Sequence, residues 1–282
     1  MQIGIFAKTF TRTSVEEVFA AIQREGLTQT QFNMACIGLT SMPDTISQDM
    51  TDRVRKASIK YGVAIAAVSG TFNMIHPDFS QRQIGLKRLA ELAKSCLPMG
   101  TSVITLCTGT RNETSMWKKH PDNDLPEAWH DLCVTMGAAL QIAEDHKITL
   151  AIEPEVSNVI NSTGKARKLL DEMQSPNLKI IMDGANLFHA GEAEKMTSIL
   201  NNAFELLADD IVIAHAKDLA KDGEEPEFVA AGKGLLDYRT YLNLLKDCGF
   251  QGPLILHGLS EAQVPESLAF LRKQLELLET EE

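Results

Sequence analysis

Residues 148–155 read Ile148-Thr-Leu-Ala-Ile-Glu-Pro-Glu155. One helical stretch later comes Leu178-Lys-Ile-Ile-Met-Asp183, and after another Ile211-Val-Ile-Ala-His-Ala-Lys-Asp218. Each is a short apolar run that stops on a charged or imidazole side chain. Apolar runs without polar alternation suit strands buried on both faces, as in a parallel sheet covered by helices. Outward from this stretch the pattern repeats to both ends. It predicts strands at 2–7, 28–33, 63–69, 102–108, 148–153, 178–183, 211–216 and 253–257, with a last helix at 264–278. The amphipathic segments between them carry end signals. Thr13-Ser-Val-Glu16 and Ser80-Gln-Arg-Gln83 have capping-box spacing, and Gly26, Gly62 and Gly249 sit where a left-handed C-cap favours glycine. Eight βα units in 282 residues, without a Pro/Gly/Ser-rich linker, predict an α/β fold: one (β/α)8 barrel spanning 1–282, not a doubly wound sheet.

Composition narrows the function. The 44% hydrophobic content supports a sizeable core, and no run reaches the roughly 18 apolar residues of a membrane helix. The N-terminus reads as a strand and not as a secretory leader. A net charge of −11 disfavours nucleic-acid binding, which depends on Lys and Arg neutralising phosphates. Five scattered cysteines without a C-x-x-C predict reduced thiols and a cytoplasmic setting. Cys107, at the end of the fourth strand, reads as an inert buried thiol.

In such a barrel, chemistry is assembled at the carboxyl ends of the strands. Four consecutive strands end on Glu153, Asp183, His215 and His257, separated by 30, 32 and 42 residues, each about one βα unit. Two carboxylates and two imidazoles form a mixed oxygen and nitrogen set. They predict a site for one divalent ion: Mn²⁺, Mg²⁺, Co²⁺, Fe²⁺ or Zn²⁺. Each residue taken singly could be a strand cap or a satisfied structural group. Around this set, His76 in Asn73-Met-Ile-His76 either contacts substrate or structures its loop. The long connection 109–124 offers Arg111 and Trp117 as a cationic and an aromatic surface for a sugar-like substrate. Lys118 and Lys119 in that loop read as solvated.

These motifs carry a resemblance. Ala151-Ile-Glu-Pro-Glu155, Ile181-Met-Asp-Gly-Ala-Asn186, His215-Ala-Lys-Asp218 and Gly232-Lys-Gly-Leu-Leu-Asp-Tyr238 resemble the sugar-phosphate isomerase/epimerase superfamily, the xylose-isomerase-like TIM barrels, over nearly the whole chain. The resemblance implies that Glu153, Asp183 and His215 hold one divalent ion. His257 stands where the family usually has a glutamate, so it is expected as a ligand or as an acid/base group. The implied activity is isomerisation or epimerisation of a sugar or sugar-like polyol, phosphorylated or not, through an enediolate. Glu153 is the expected base and Lys217 the group facing the oxyanion, with Asn186 and Arg111 orienting the substrate. Glu261, four residues past His257, is a second candidate to reach the site. The resemblance also implies a homodimer or homotetramer. Two alternatives stay open: a metal-assisted lyase or dehydratase on a keto-sugar or inositol derivative, and a non-catalytic sugar-binding barrel. The three-zinc endonucleases of the same superfamily need a histidine where this chain has Asn186 and a D-x-H pair that 218–234 lacks.

Overall fold

A computed structural model describes residues 1–189, 191–220 and 227–280. Eight parallel strands close into a barrel: β1 (Gln2–Phe6), β2 (Gln29–Phe32), β3 (Ala64–Ser69), β4 (Val103–Leu106), β5 (Thr149–Ile152), β6 (Leu178–Asp183), β7 (Ile211–Leu219) and β9 (Pro253–Leu256). Each pairs in parallel with its neighbours, and β9 against β1 completes the ring. The predicted strands are all present, most of them shorter by a residue or two. The seventh differs. It continues three residues beyond the expected end and folds back as an antiparallel arm with β8 (Phe228–Ala230), pairing Lys217 with Ala230. Strand β8 escaped the sequence reading because three residues carry no usable period. Residues 221–226 of the 218–234 segment, read above as lacking a D-x-H pair, lie outside the described residues.

The ring of helices comprises α1 (Val15–Arg24), α2 (Gln48–Tyr61), α3 (Phe79–Met99), α4 (Pro126–His146), α5 (Thr163–Met173), α6 (Met196–Leu207), α7 (Tyr238–Asp247) and α8 (Val264–Thr280). At α1, α2, α3, α5 and α7 a side-chain oxygen satisfies a free amide of the first turn, but both predicted boxes are displaced. The α1 cap is Ser14, not Thr13, accepting from the Glu17 amide, while Glu17 takes the Thr13 amide and hydroxyl. The α3 cap is Asp78, whose carboxylate accepts from Ser80 and places that serine inside the first turn. Gly26, Gly62 and Gly249 all adopt positive φ at helix ends, as expected.

Two apolar clusters separate the layers. The larger lies between strands and helices. The smaller fills the barrel interior with Ala67, Ala151, Ile181, Ile213 and Ile255, one residue from each of β3, β5, β6, β7 and β9. Side chains two apart on a strand share a face. The residues two further on, Ser69, Glu153, Asp183, His215 and His257, therefore stand one layer above this apolar floor, at the carboxyl end of the barrel. No described helix is long and apolar enough to cross a membrane, and all five cysteines are free thiols.

Candidate metal centre

Asp183 and His215 are register partners at the ends of β6 and β7, and Glu153 follows β5 directly. Among the described residues, Glu153, Asp183 and His215 each offer a ligand atom, all within 4.8 Å of one another. His215 Nδ1 lies 3.5 Å from Glu153 Oε1 and 3.6 Å from Asp183 Oδ2, too long for good hydrogen bonds. Asp183 Oδ1 accepts from the Ala185 amide, starting the short helical turn Gly184–Leu187 that carries Asn186. The remaining atoms, Asp183 Oδ2 and His215 Nδ1, are buried without a hydrogen-bond partner. Buried polar atoms in native proteins are normally satisfied. Two such atoms on adjacent strands, the carboxylate one with only the Lys217 cation beside it at 3.2 Å, face a third ligand group, the Glu153 carboxylate, in an arrangement a divalent cation would complete.

The tautomer is set from outside. His215 Nε2 lies 2.9 Å from Gln31 Oε1 on β2, and the Gln31 amide nitrogen donates to Ser69 and Thr105. With the amide so oriented, Nε2 is the donor, and the neutral form of His215 that ligates a metal has its lone pair on Nδ1. Gln31 went unnoticed in the sequence because a glutamine in a strand has no motif. Its position on the inward face of β2 is the one signal that could have found it.

A second network joins the expected catalytic groups. Asn186 donates to Glu153 Oε1 and accepts from Lys217 Nζ at 2.5 Å. Lysine only donates and an ionised carboxylate only accepts, so the amide orientation is fixed by its neighbours. Lys217 is buried, 3.2 Å from Asp183 Oδ2, with its Nζ over the Phe228 ring at 3.9 Å. The β8 arm, unseen in the sequence, thus covers this lysine. Next in chain, Asp218 accepts the amides of Leu219, Gly232, Gly234 and Leu236, folding the Gly232-x-Gly234 turn around one buried carboxylate. At Gly234 a Cβ would stand 2.1 Å from the Leu219 carbonyl, so only glycine fits. The hydroxyl of Tyr241 on α7 reaches the Met182 and His215 carbonyls at 2.8 and 3.1 Å, tying the two ligand-bearing strands together.

Electrostatics follow from this crowding. Burial would raise the Asp183 carboxyl, but Lys217 and the two imidazoles hold it below the ordinary carboxylate range. Burial opposes a charged His215, yet Glu153 and Asp183 raise it to about 9. His257 is pushed the other way, to about 4, by burial and by the positive charge of His215 and Lys217. Burial also raises Glu155, despite the amide donors of Ser157.

The structure brings Glu153, Asp183, His215, Asn186, Lys217 and His257 into one region, but His257 does not join the three-ligand group. Its ring stacks on His215, centroids 4.9 Å apart and planes 13° from parallel, with Phe6 on its other side at 5.3 Å. Three of the four expected ligands, Glu153, Asp183 and His215, form the compact group, and His257 stands beside them with its ring stacked on His215.

Three other candidates make no hydrogen bond or ion pair with the cluster. Arg111 closes onto Asp131 at 2.7 Å and the Ile75 carbonyl at 3.0 Å, and it lines a separate cavity of about 640 Å³ with Pro77, Asn112, His120 and Leu125. His76 accepts the Asp78 amide and shapes the turn before α3. Trp117 is exposed. Glu261 forms an ion pair with Arg12 that ties the α8 entry to the segment after β1. Arg12 satisfies its carboxylate there, so the second-candidate reading of Glu261 is withdrawn.

The model of the xylose isomerase-like TIM barrel matches residues 42–274. The chain belongs to the xylose isomerase-like TIM barrels. Among solved members of similar fold, a D-tagatose 3-epimerase-like protein superposes with a TM-score of 0.80 at 16% identity, covering 100% of this chain and 99% of that one. The IolI protein, solved with a bound zinc atom, reaches 0.73 at 15% identity, covering 98% and 96%. A curated relative, the uncharacterized protein MJ1311 of Methanocaldococcus jannaschii, is 24% identical over 165 residues; the match spans 55% of this chain and 54% of that protein, about half its length. At these identities the structural likeness establishes the barrel. The Glu153, Asp183 and His215 triad of this xylose isomerase-like barrel could hold a metal.

Proposed function

We propose that this barrel is a metal-dependent isomerase or epimerase of a sugar or sugar-like polyol. The observation that carries the reading is the convergence of Glu153, Asp183 and His215 at the carboxyl end of the strands, with Asp183 Oδ2 and His215 Nδ1 buried and without a hydrogen-bond partner. The epimerase-like neighbour supports the reaction class. When bound, a divalent ion supplies Lewis-acid polarisation of neighbouring substrate oxygens. The chain's own residues do the rest. Glu153, held by the Asn186 amide, takes the proton from the carbon between a carbonyl and a hydroxyl. Lys217, held by the same asparagine, turns a donor toward the developing oxyanion. Return of that proton by Glu153, on the same face, to the former carbonyl carbon, with the hydroxyl proton passing to the former carbonyl oxygen, gives isomerisation. Epimerisation needs a second group, and His257 is the candidate.

The test is bound metal per chain after reloading with Mn²⁺, followed by solvent-deuterium incorporation into a panel of ketoses. One ion per chain, lost in Asp183→Ala, is expected. Exchange should fall by about 10²- to 10⁴-fold in Glu153→Gln. Wild-type protein that retains no metal, or exchange that survives in Glu153→Gln, overturns the reading.

A further inference from the structure

A second charged cluster lies outside the metal centre, where the connection from β4 to α4 meets α3 and α4. Arg82 on α3 and Arg111 on the connection both reach Asp131 on α4, and they do so at one oxygen. Arg82 Nη1 stands 2.6 Å and Arg111 Nη2 2.7 Å from Asp131 Oδ2. Two guanidiniums thus share one carboxylate, and neither can shed its proton to relieve the excess. Arg82 is 7% exposed, and its Nε is buried without a hydrogen-bond partner. The Phe79 ring, 5.4 Å from its guanidinium carbon, offers a π face but no negative charge. Buried cations are costly unless paired. An anion brought to Arg111 would leave Asp131 to Arg82.

Arg111 lines the cavity of about 640 Å³ described above, a size typical of small-ligand sites. The charges of its lining are graded by depth. The Arg111 side chain is 12% exposed, whereas Glu113, Asp122 and Glu127, on the same cavity, are exposed. Among the described residues, Glu113 and Glu127 have no ion pair. A phosphate would find its guanidinium only past three carboxylates, and a simple amine would end against the guanidinium. We propose that the cavity binds a zwitterion of the α-amino acid type, its carboxylate inward on Arg111 and its ammonium outward among Glu113, Asp122 and Glu127. Arg111 gives one N–H to the Ile75 carbonyl and one to Asp131, which leaves three of its five for a carboxylate. The site stands apart from the metal centre and holds its ligand whether or not that centre is loaded.

The experiment screens the common L-amino acids against the full chain by thermal shift. The best is then measured by titration calorimetry beside inorganic phosphate and two truncated analogues, one without the ammonium and one without the carboxylate (for leucine, 4-methylpentanoate and 3-methylbutylamine). The amino acid is expected to bind about tenfold more tightly than any of the three, since each lacks one charge-assisted contact. Arg111→Met should weaken it by about tenfold or more. The exposed pair Glu113→Gln with Glu127→Gln, which keeps the test alive if Arg111→Met does not fold, should weaken it by about threefold or more and spare the ammonium-free analogue. Asp183→Ala should bind it as wild type does. The proposal is overturned if no amino acid binds, if phosphate or either analogue binds as tightly, or if a folded Arg111 or Glu113/Glu127 variant matches wild type. Binding lost in Asp183→Ala would put the ligand on the metal centre and overturn it too.

Discussion

Replacing Gln31 by leucine is expected to weaken metal binding from a position that touches no metal. The side chain is buried on β2, and its Oε1 accepts from His215 Nε2 at 2.9 Å. Leucine conserves most of the volume but leaves the imidazole N–H without a partner, at a cost of about 1–3 kcal/mol. The ring can relieve this by moving its proton to Nδ1, which removes the lone pair that faces Glu153 and Asp183. Either way the loss falls on ligation. Groups that orient metal-bound histidines are typically worth about 10- to 100-fold in affinity, or about 1.4–2.7 kcal/mol. Competition against a chromophoric chelator measures this directly for Mn²⁺ or Zn²⁺. Gln31→Glu retains an acceptor at the same place and should recover most of the affinity. If Gln31→Leu binds metal within threefold of wild type, or if leucine and glutamate behave alike, the assignment of the Nδ1 lone pair to the metal is wrong.

Two further outcomes follow from the same geometry. In metal-free protein the histidines titrate in opposite senses. His215, raised from 6.5 to about 9, adds stability that is complete below pH 6.5 and lost as pH rises through about 9. His257, lowered to about 4, adds stability present above pH 6.5 and lost as pH falls through about 4. Urea midpoints should therefore peak near pH 6.5, and His257→Phe should flatten the acid limb while sparing the alkaline one; an unchanged acid limb would contradict the buried neutral imidazole. Asp218→Ala removes the one acceptor for four amides and should destabilise the protein by about 4 kcal/mol in urea unfolding. A loss under about 1 kcal/mol would mean that water replaces the carboxylate.

The sequence alone determined the alternation of apolar runs and amphipathic stretches, and hence the eight-stranded barrel. Strands β5, β6 and β7 are local hydrophobic runs, and each carries its polar stop two residues past a buried apolar one, as Ile181 precedes Asp183 and Ile213 precedes His215. Glu153, Asp183 and His215 were legible for that reason: strand ends lie at a known face of the fold. Tertiary structure decided the rest. Gln31 meets His215 across 184 residues of chain, and no local pattern records a contact between β2 and β7. Phe228 covers Lys217 only because a three-residue arm folds back on β7. Arg111 had the right chemistry for a substrate, but Asp131 on α4 took its charge. His257 had a ligand's chemistry and a ligand's position in the chain. Its ring lies stacked between Phe6 and His215, an orientation that the order of residues does not encode.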